Sequence, residues 1–408
     1  TNNGTSITAN ATSSHIGTNT ADKLVESTSS NFHICYQNTS VTNKSVYTYS
    51  VYAKYNGRVL QLNLSSSYWG TQVYANFDLQ NGVIGDIGTS TIDAQIVSVG
   101  NGWYRCSITG RSNATGTGGL ALSLAQSTTS PRNENYTGDG TSGAFVWGAQ
   151  GEQGLVATDY IETTTTTGKA GILEDLPRID FTDDTTGHLL LEPQRTNVIR
   201  QSEYFQGWHT DNNVSYSVNN ATSPEGLTNA TKVTATSTYN SYFRQNVTTS
   251  AGDNVFSVFA KYEDCQYIML RSAFFTGGDE AEVWFDIQNG VKGGSTEDDV
   301  TYDIEDYGNG WYRCYVVFNV AGDTSGYCYI HLSSTDESLD VVNGTSVHFY
   351  GAQQELGSYP TSYIPCYGSS VTRNAEVCNN SGSAQDFNSE EGVLYAEIAA
   401  LANENSTT

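Results

Sequence analysis

Two aspartates, Asp78 and Asp286, stand in matching strings, Phe77-Asp78-Leu79-Gln80-Asn81-Gly82 and Phe285-Asp286-Ile287-Gln288-Asn289-Gly290. A pair of carboxylates is what a glycosidase needs, one to protonate the leaving oxygen and one to attack or to activate water. Each of these, however, lies on the polar side of an alternating strand, just ahead of Asn-Gly, where an aspartate caps the turn. The six histidines, His15, His33, His188, His209, His331 and His348, are scattered. There is no H-E-x-x-H spacing, no G-x-S-x-G elbow and no phosphate-binding loop, so nucleophilic and metal-dependent hydrolysis lack their usual parts. The expectation is no catalytic residue and no enzyme. No C-x-x-C metal pattern occurs. Asp139, in Gly138-Asp139-Gly140-Thr141, and Asp323, in Gly322-Asp323-Thr324, are the two candidates for a structural calcium site, with turn capping the favoured role; no other cofactor is expected.

The aromatic residues divide by position. Trp103 and Trp311 sit inside the most repeated string of the chain, directly after a turn, which favours a core or corner role over sugar stacking. Adjacent aromatics in a Gly- and Ser-flanked loop are different, because both rings rarely point inward. Tyr68-Trp69 and Phe274-Phe275 are such pairs and are the candidate carbohydrate-binding residues, with subunit contact an equal alternative. Arg105 and Arg313 lie between apolar neighbours, where a salt bridge or a bidentate contact to a local carboxylate is expected. Glu192 and Arg195 are expected to pair with each other. Of seven cysteines, Cys106 and Cys314 occupy one repeated strand position and read as small buried hydrophobes. Cys265, Cys328, Cys366 and Cys378 leave room for one disulfide without demanding it.

The elements that position these residues come from a duplication. Gly100-Asn101-Gly102-Trp103-Tyr104-Arg105-Cys106 recurs letter for letter at 308–314, an offset of 208 (311 − 103). Tyr49-Ser50-Val51-Tyr52-Ala53-Lys54-Tyr55 answers Phe256-Ser257-Val258-Phe259-Ala260-Lys261-Tyr262, and Gly148-Ala149-Gln150 answers Gly351-Ala352-Gln353. A period this long makes each copy a whole domain. Val73, Ala75, Phe77 and Leu79 alternate with polar residues, as do Ala281, Val283, Phe285 and Ile287, which is the pattern of half-buried strands. The Asn-Gly pairs at 81–82, 101–102, 289–290 and 309–310 read as hairpin corners. The fold class is therefore all-β: tandem antiparallel sandwiches of jelly-roll type. Residues 1–163 form the first module, 164–200 a linker and hairpin connector, and 201–366 the second module. Residues 367–408 form an exit segment and the start of a further domain, with a new alternating strand at 384–398. The chain reads as a stretch of a longer polypeptide.

The formal charge is −25, from 18 Lys and Arg against 43 Asp and Glu. That balance repels phosphate backbones and anionic membrane surfaces, so neither nucleic acid nor a membrane is an expected partner. No apolar run has transmembrane length.

Taken as an ordered set, the strings FDxxNG, NGWYRC, GDGTSGAFVWGAQ (138–150), GHLLLEPQRTN (187–197), YGAQQELGSYPTSYIP (350–365) and SSVTRNAEV (369–377) resemble those of fibre and spike proteins of tailed bacteriophages. The resemblance covers nearly the whole chain. It implies carbohydrate-binding-module-like sandwiches, often followed by a lectin-like domain, in a homotrimeric fibre at the virion surface. The partners it implies are a host cell-surface glycan, bound weakly and multivalently, and other virion proteins. Copy one departs from the pattern at Glu162 and the following threonines, where Pro is expected, which implies a looser joint. Two alternatives stand beside this reading: a purely structural spacer or capsid-decoration fibre, and the accessory modules of a secreted bacterial polysaccharidase.

Overall fold

The computed structural model describes residues 1–163, 166–168, 178–181, 186–275, 281–298, 300–322 and 324–377. Asp323, Cys378 and the strand expected at 384–398 lie outside these. The described chain is nearly all β, and four six-stranded antiparallel sheets hold most of it. In the first half one sheet runs, in spatial order, Asn2–Asn3, His33–Val41, Gly116–Ala125, Val59–Leu64, Tyr74–Asp78, Val83–Ile87. Its partner runs Thr5–Thr12, Ala21–Glu26, Gly143–Gln153, Val46–Asn56, Trp103–Arg111, Asp93–Gly100. The second half repeats both orders. One sheet is Thr210–Asn212, Ser241–Thr248, Ser325–Ser333, Tyr267–Ala273, Ala281–Asp286, Val291–Ser295; the other is Val214–Ala221, Ala230–Ala235, Ser346–Leu356, Gly252–Tyr262, Trp311–Val320, Thr301–Asp306. The chain passes from one sheet to the other and back, as in a jelly-roll sandwich, and two separate cores lie between the paired sheets.

The repeated strings prove to be parts that touch. Asn101 and Asn309 adopt φ of 52° and 53°, and Gly102 and Gly310 φ of 75° and 78°, the double left-handed conformation of a tight hairpin. At the other corners only Gly82 and Gly290 are left-handed, at 68° and 69°, and their N–H groups donate to Asp78 O and Asp286 O. Those two glycines lie under the tyrosine of the other motif. A Cβ at Gly82 would stand 2.6 Å from the Tyr104 ring, and one at Gly290 2.5 Å from Tyr312. Positive φ and close approach together require glycine. Gly290→Ala is expected to cost upwards of about 1–2 kcal/mol, from backbone strain alone, read as a lowered urea midpoint; an unchanged midpoint refutes this account of the motif.

A second duplicated device ties each module's exit to its sheet. Gln150 Oε1 accepts the Ile161 N–H and Gln353 Oε1 the Ile364 N–H, both at 2.7 Å. The Glu152 carboxylate accepts the N–H and hydroxyl of Thr158, and Glu355 those of Thr361. These bonds give the Gly-Ala-Gln strings and the two Thr-x-Tyr-Ile strings a common purpose.

The hairpin connector is present as Ile179–Asp180 paired with His188–Leu189. Beyond it Arg195–Asn197 pairs antiparallel with Val371–Arg373, so the strings at the two ends of the second module close on each other. Glu192 and Arg195 do not pair, contrary to expectation. The buried Glu192 carboxylate takes Arg178, Arg373 Nη1 at 3.0 Å and the Ser362 N–H at 2.7 Å, while Arg195 faces Glu355 at 4.0 Å. Glu192 precedes the strand Arg195–Asn197, and each side chain finds its partners on other segments of the chain. The modules also meet directly, through Gln201 Nε2 on Lys44 O, Asn219 Nδ2 on Leu155 O, and the buried cluster of Val46, Leu155 and Tyr204.

Candidate functional site

The outward face of one sheet in the second module gathers aromatic and cationic side chains. Along Ser325–Ser333, Cys328, Ile330 and Leu332 enter the core, so Tyr327, Tyr329 and His331 stand on the other face. On the flanking strands Phe243 and Leu270 point inward and leave Tyr242, Arg244, Met269 and Arg271 outward. Register then builds two rows across the sheet. One is Arg244, Tyr329, Arg271, Glu282; the next is Tyr242, His331, Met269, Trp284.

Tyr329 and His331 form a buried floor, with ring centroids 5.8 Å apart, and Tyr242 lies 4.9 Å from His331. Arg244 lays its guanidinium 4.3 Å from the Tyr327 centroid and 5.2 Å from that of Tyr329, and Nη1 donates to the Tyr329 hydroxyl. Arg271 packs on Tyr329 and pairs with Glu282 at 3.1 Å. Both ring nitrogens of His331 lack a hydrogen-bond partner. Burial first, and then the Arg271 charge, push its pKa down to about 3, so it stands there as a neutral donor and acceptor.

At the end of this face is Phe274, 58% exposed, edge-on to Tyr327 at 5.8 Å, with φ of +67°. A bulky residue in the left-handed region costs energy, and so does an exposed ring; strain of this kind collects at ligand clamps.

The first module has the same sheet without the same face. At an offset of 208 (331 − 123), Tyr329, His331, Met269, Arg271 and Trp284 are replaced by Ala121, Ser123, Gln61, Asn63 and Asn76. The segment 127–134 lies over them. Gln61 Nε2 donates to Pro131 O, Asn76 Nδ2 to Thr128 O and Ser130 O, Asn63 Nδ2 to Asn133 Oδ1, and Asn133 N to Gln61 Oε1. That face is closed by its own chain.

Two of the four expected sugar-binding residues are displaced from that role. Trp69 and Phe275 are buried in the cores. Each fills the space over a glycine of the opposite strand: a Cβ at Gly118 would lie 2.5 Å from the Trp69 ring, and one at Gly326 2.7 Å from Phe275. Substituting them would damage packing rather than remove a surface contact. Tyr68 is half-buried against Gly116, and only Phe274 stands out from the surface. Trp103 and Trp311 are buried. The expected carboxylate partners of Arg105 and Arg313 are also corrected. Arg313 Nη2 donates to Ser257 Oγ at 3.2 Å and Thr361 O at 2.8 Å, and Arg105 Nη2 binds Ser50 and Thr158 in the same way. Glu152 and Glu355 are engaged by the exit threonines, and each arginine holds the exit loop by its carbonyl, with Glu305 standing across the strand pair from Arg313.

Asp78 and Asp286 each cap their own turn in separate modules, accepting two backbone N–H groups and an asparagine amide. Those hydrogen bonds outweigh partial burial and hold both carboxyls below the usual range. Asp139 likewise accepts from Thr141 and Ser142, and lies 3.5 Å from Arg58. No group of three His, Cys, Asp or Glu suited to a metal occurs among the described residues. The six described cysteines are unpaired, with Cys106 and Cys314 in the cores. No described helix is long and apolar enough to cross a membrane.

Compared with protein-family models and with curated proteins, the chain matches none.

Proposed function

We propose that this chain is a non-enzymatic segment of a phage virion fibre or spike, whose second module holds a host-surface glycan on its Tyr, Arg and His face while the first serves as spacer. The observation that carries the reading is Phe274, exposed and held in an unfavourable backbone conformation beside a half-buried tyrosine and arginine row. Sugar rings dock on aromatic faces through their C–H groups, and their hydroxyls need polar partners, which the half-buried Arg244 offers. One weak site per chain suffices in a fibre with several chains, because linked sites raise effective concentration. The fibre setting rests on the resemblance of the ordered strings.

Replacing Phe274 by glycine tests this. Glycine accepts the left-handed conformation, so stability is expected to stay within about 1 kcal/mol of the parent, while binding on a glycan array is lost. Retained binding on the array rejects the face as the site.

A second reading, a structural spacer, is favoured by the connector hairpin, where Ile179, Phe181, Leu189 and Leu191 are all exposed. If those residues are subunit contacts, Phe181→Ser with Leu191→Ser converts a trimer to monomer in light scattering. A trimer that survives the double change removes that support.

A further inference from the structure

Within the glycan reading, on which this inference rests, we infer that the ligand is an anionic sugar, carboxylated or sulfated, and that Arg244 is the residue that selects it. The chain carries 43 acidic residues against 18 basic ones, and the described arginines that lack an acid, such as Arg105, Arg132 and Arg313, are otherwise spent on backbone carbonyls. Most other arginines are engaged in holding the fold. Arg58 pairs with Glu26, Arg178 and Arg373 with Glu192, Arg195 with Glu355, and Arg105 and Arg313 clamp the exits. Arg244 has only neutral partners: the Tyr329 hydroxyl and the faces of Tyr327 and Tyr329. No described carboxylate lies within ion-pairing distance of it, and its buried Nε has no hydrogen-bond partner.

A guanidinium held over two aromatic rings is partly stripped of water and fixed in position, which favours recognition of an oxyanion over a hydroxyl. The long-range field of an acidic chain opposes an anionic ligand. At physiological salt, however, that field is screened within about 8 Å, so the contact pair decides.

The test uses the whole chain against an array holding neutral, carboxylated and sulfated glycans. Titration follows with oligogalacturonate and its methyl ester, which share one sugar and differ in charge. Acidic glycans are expected to dominate the hits, and the acid to bind at least about tenfold more tightly than the ester, the scale of one charge-assisted contact. Raising NaCl from about 50 to about 300 mM should erode that difference. Arg244→Gln should abolish the preference, bringing the acid down to the affinity of the ester, and Arg244→Lys should retain part of it; circular dichroism confirms that both variants fold. Hits confined to neutral glycans, equal affinity for acid and ester, or a preference that survives in Arg244→Gln overturn the inference and leave the glycan reading standing. An array without any hit removes the glycan reading and this inference with it. If the hits are sulfated glycans alone, the titration is made with a sulfated glycan and its desulfated form in place of the galacturonate pair, and the same two outcomes decide.

Discussion

Trp311→Ala is expected to remove about 3–5 kcal/mol of stability, the usual cost of emptying a large aromatic site in a packed core. Trp311 is buried against Phe259, Tyr350 and Ala230, and its indole N–H donates to Thr222 O at 3.0 Å. Alanine leaves both a cavity and an unsatisfied carbonyl. Trp311→Phe restores most of the volume but not the donor, so a residual loss of about 1–2 kcal/mol is expected. Urea unfolding followed by tryptophan fluorescence and by far-UV circular dichroism measures both. If Trp311→Ala unfolds like the parent but fails to bind sugar, the indole is a stacking platform and its structural assignment is wrong.

Glu203→Gln is expected to change how stability depends on pH. Glu203 is buried where the second module begins, accepting the hydroxyls of Tyr363 and Tyr367 at 3.0 Å and the amide of Asn229 at 3.2 Å, with Glu225 close by. Burial, and secondarily the Glu225 charge, raise its pKa to about 8, against the three hydrogen bonds. The folded state therefore binds a proton that the unfolded chain releases near pH 4.5. Its contribution is complete below about pH 4.5 and is lost as pH rises towards 8, at about 1.4 kcal/mol per pH unit. His331 acts in the opposite sense. Its lowered pKa costs stability as pH falls below about 6.5, because only the unfolded chain takes up the proton. The two slopes oppose between about pH 4.5 and 6.5, so the parent profile is flat there and falls above. Glutamine keeps the shape and removes the titration. The difference in unfolding free energy between Glu203→Gln and parent should grow by several kcal/mol from pH 5 to 8. A difference that does not change with pH shows that Glu203 is ionised in the fold.

Below about pH 4.5 a further loss follows from Glu192. Burial alone would raise its pKa, but Arg178, the Ser362 N–H and Arg373 together hold the carboxyl below the usual range. A depressed carboxyl stabilises the fold above its unfolded pKa, and that stability disappears as pH falls through the folded value. Acid should therefore part the strand pair Arg195–Asn197 and Val371–Arg373, visible as faster amide exchange at Thr196 and Thr372.

Local features were legible in the residues themselves. Alternation at Val283 and Phe285, left-handed corners at Asn309 and Gly310, and turn caps at Asp78 and Asp286 each depend on a few neighbours along the chain. The alternating set Tyr327, Tyr329, His331 was also present in the letters, yet nothing local separates it from Gly119, Ala121, Ser123 at the same strand positions. What differs is how it is covered: in copy one the segment 127–134 is bonded across Gln61, Asn63 and Asn76, whereas in copy two the corresponding segment reaches Trp284 through Ser338 O and leaves Arg244, Tyr327 and Phe274 at the accessible edge.

By itself the sequence determined that this is a duplicated all-β chain with Asn-Gly corners and an acidic balance, because periodicity, turn chemistry and charge are properties of short stretches and of counts. Only the tertiary structure decided which aromatics meet solvent. Trp69 and Phe275 turned inward because strands brought Gly118 and Gly326 opposite them, and Arg244 was left without an acid because register set tyrosines beside it. Burial and pairing of a side chain are fixed by residues far away in the chain, and no reading of neighbours alone contains them.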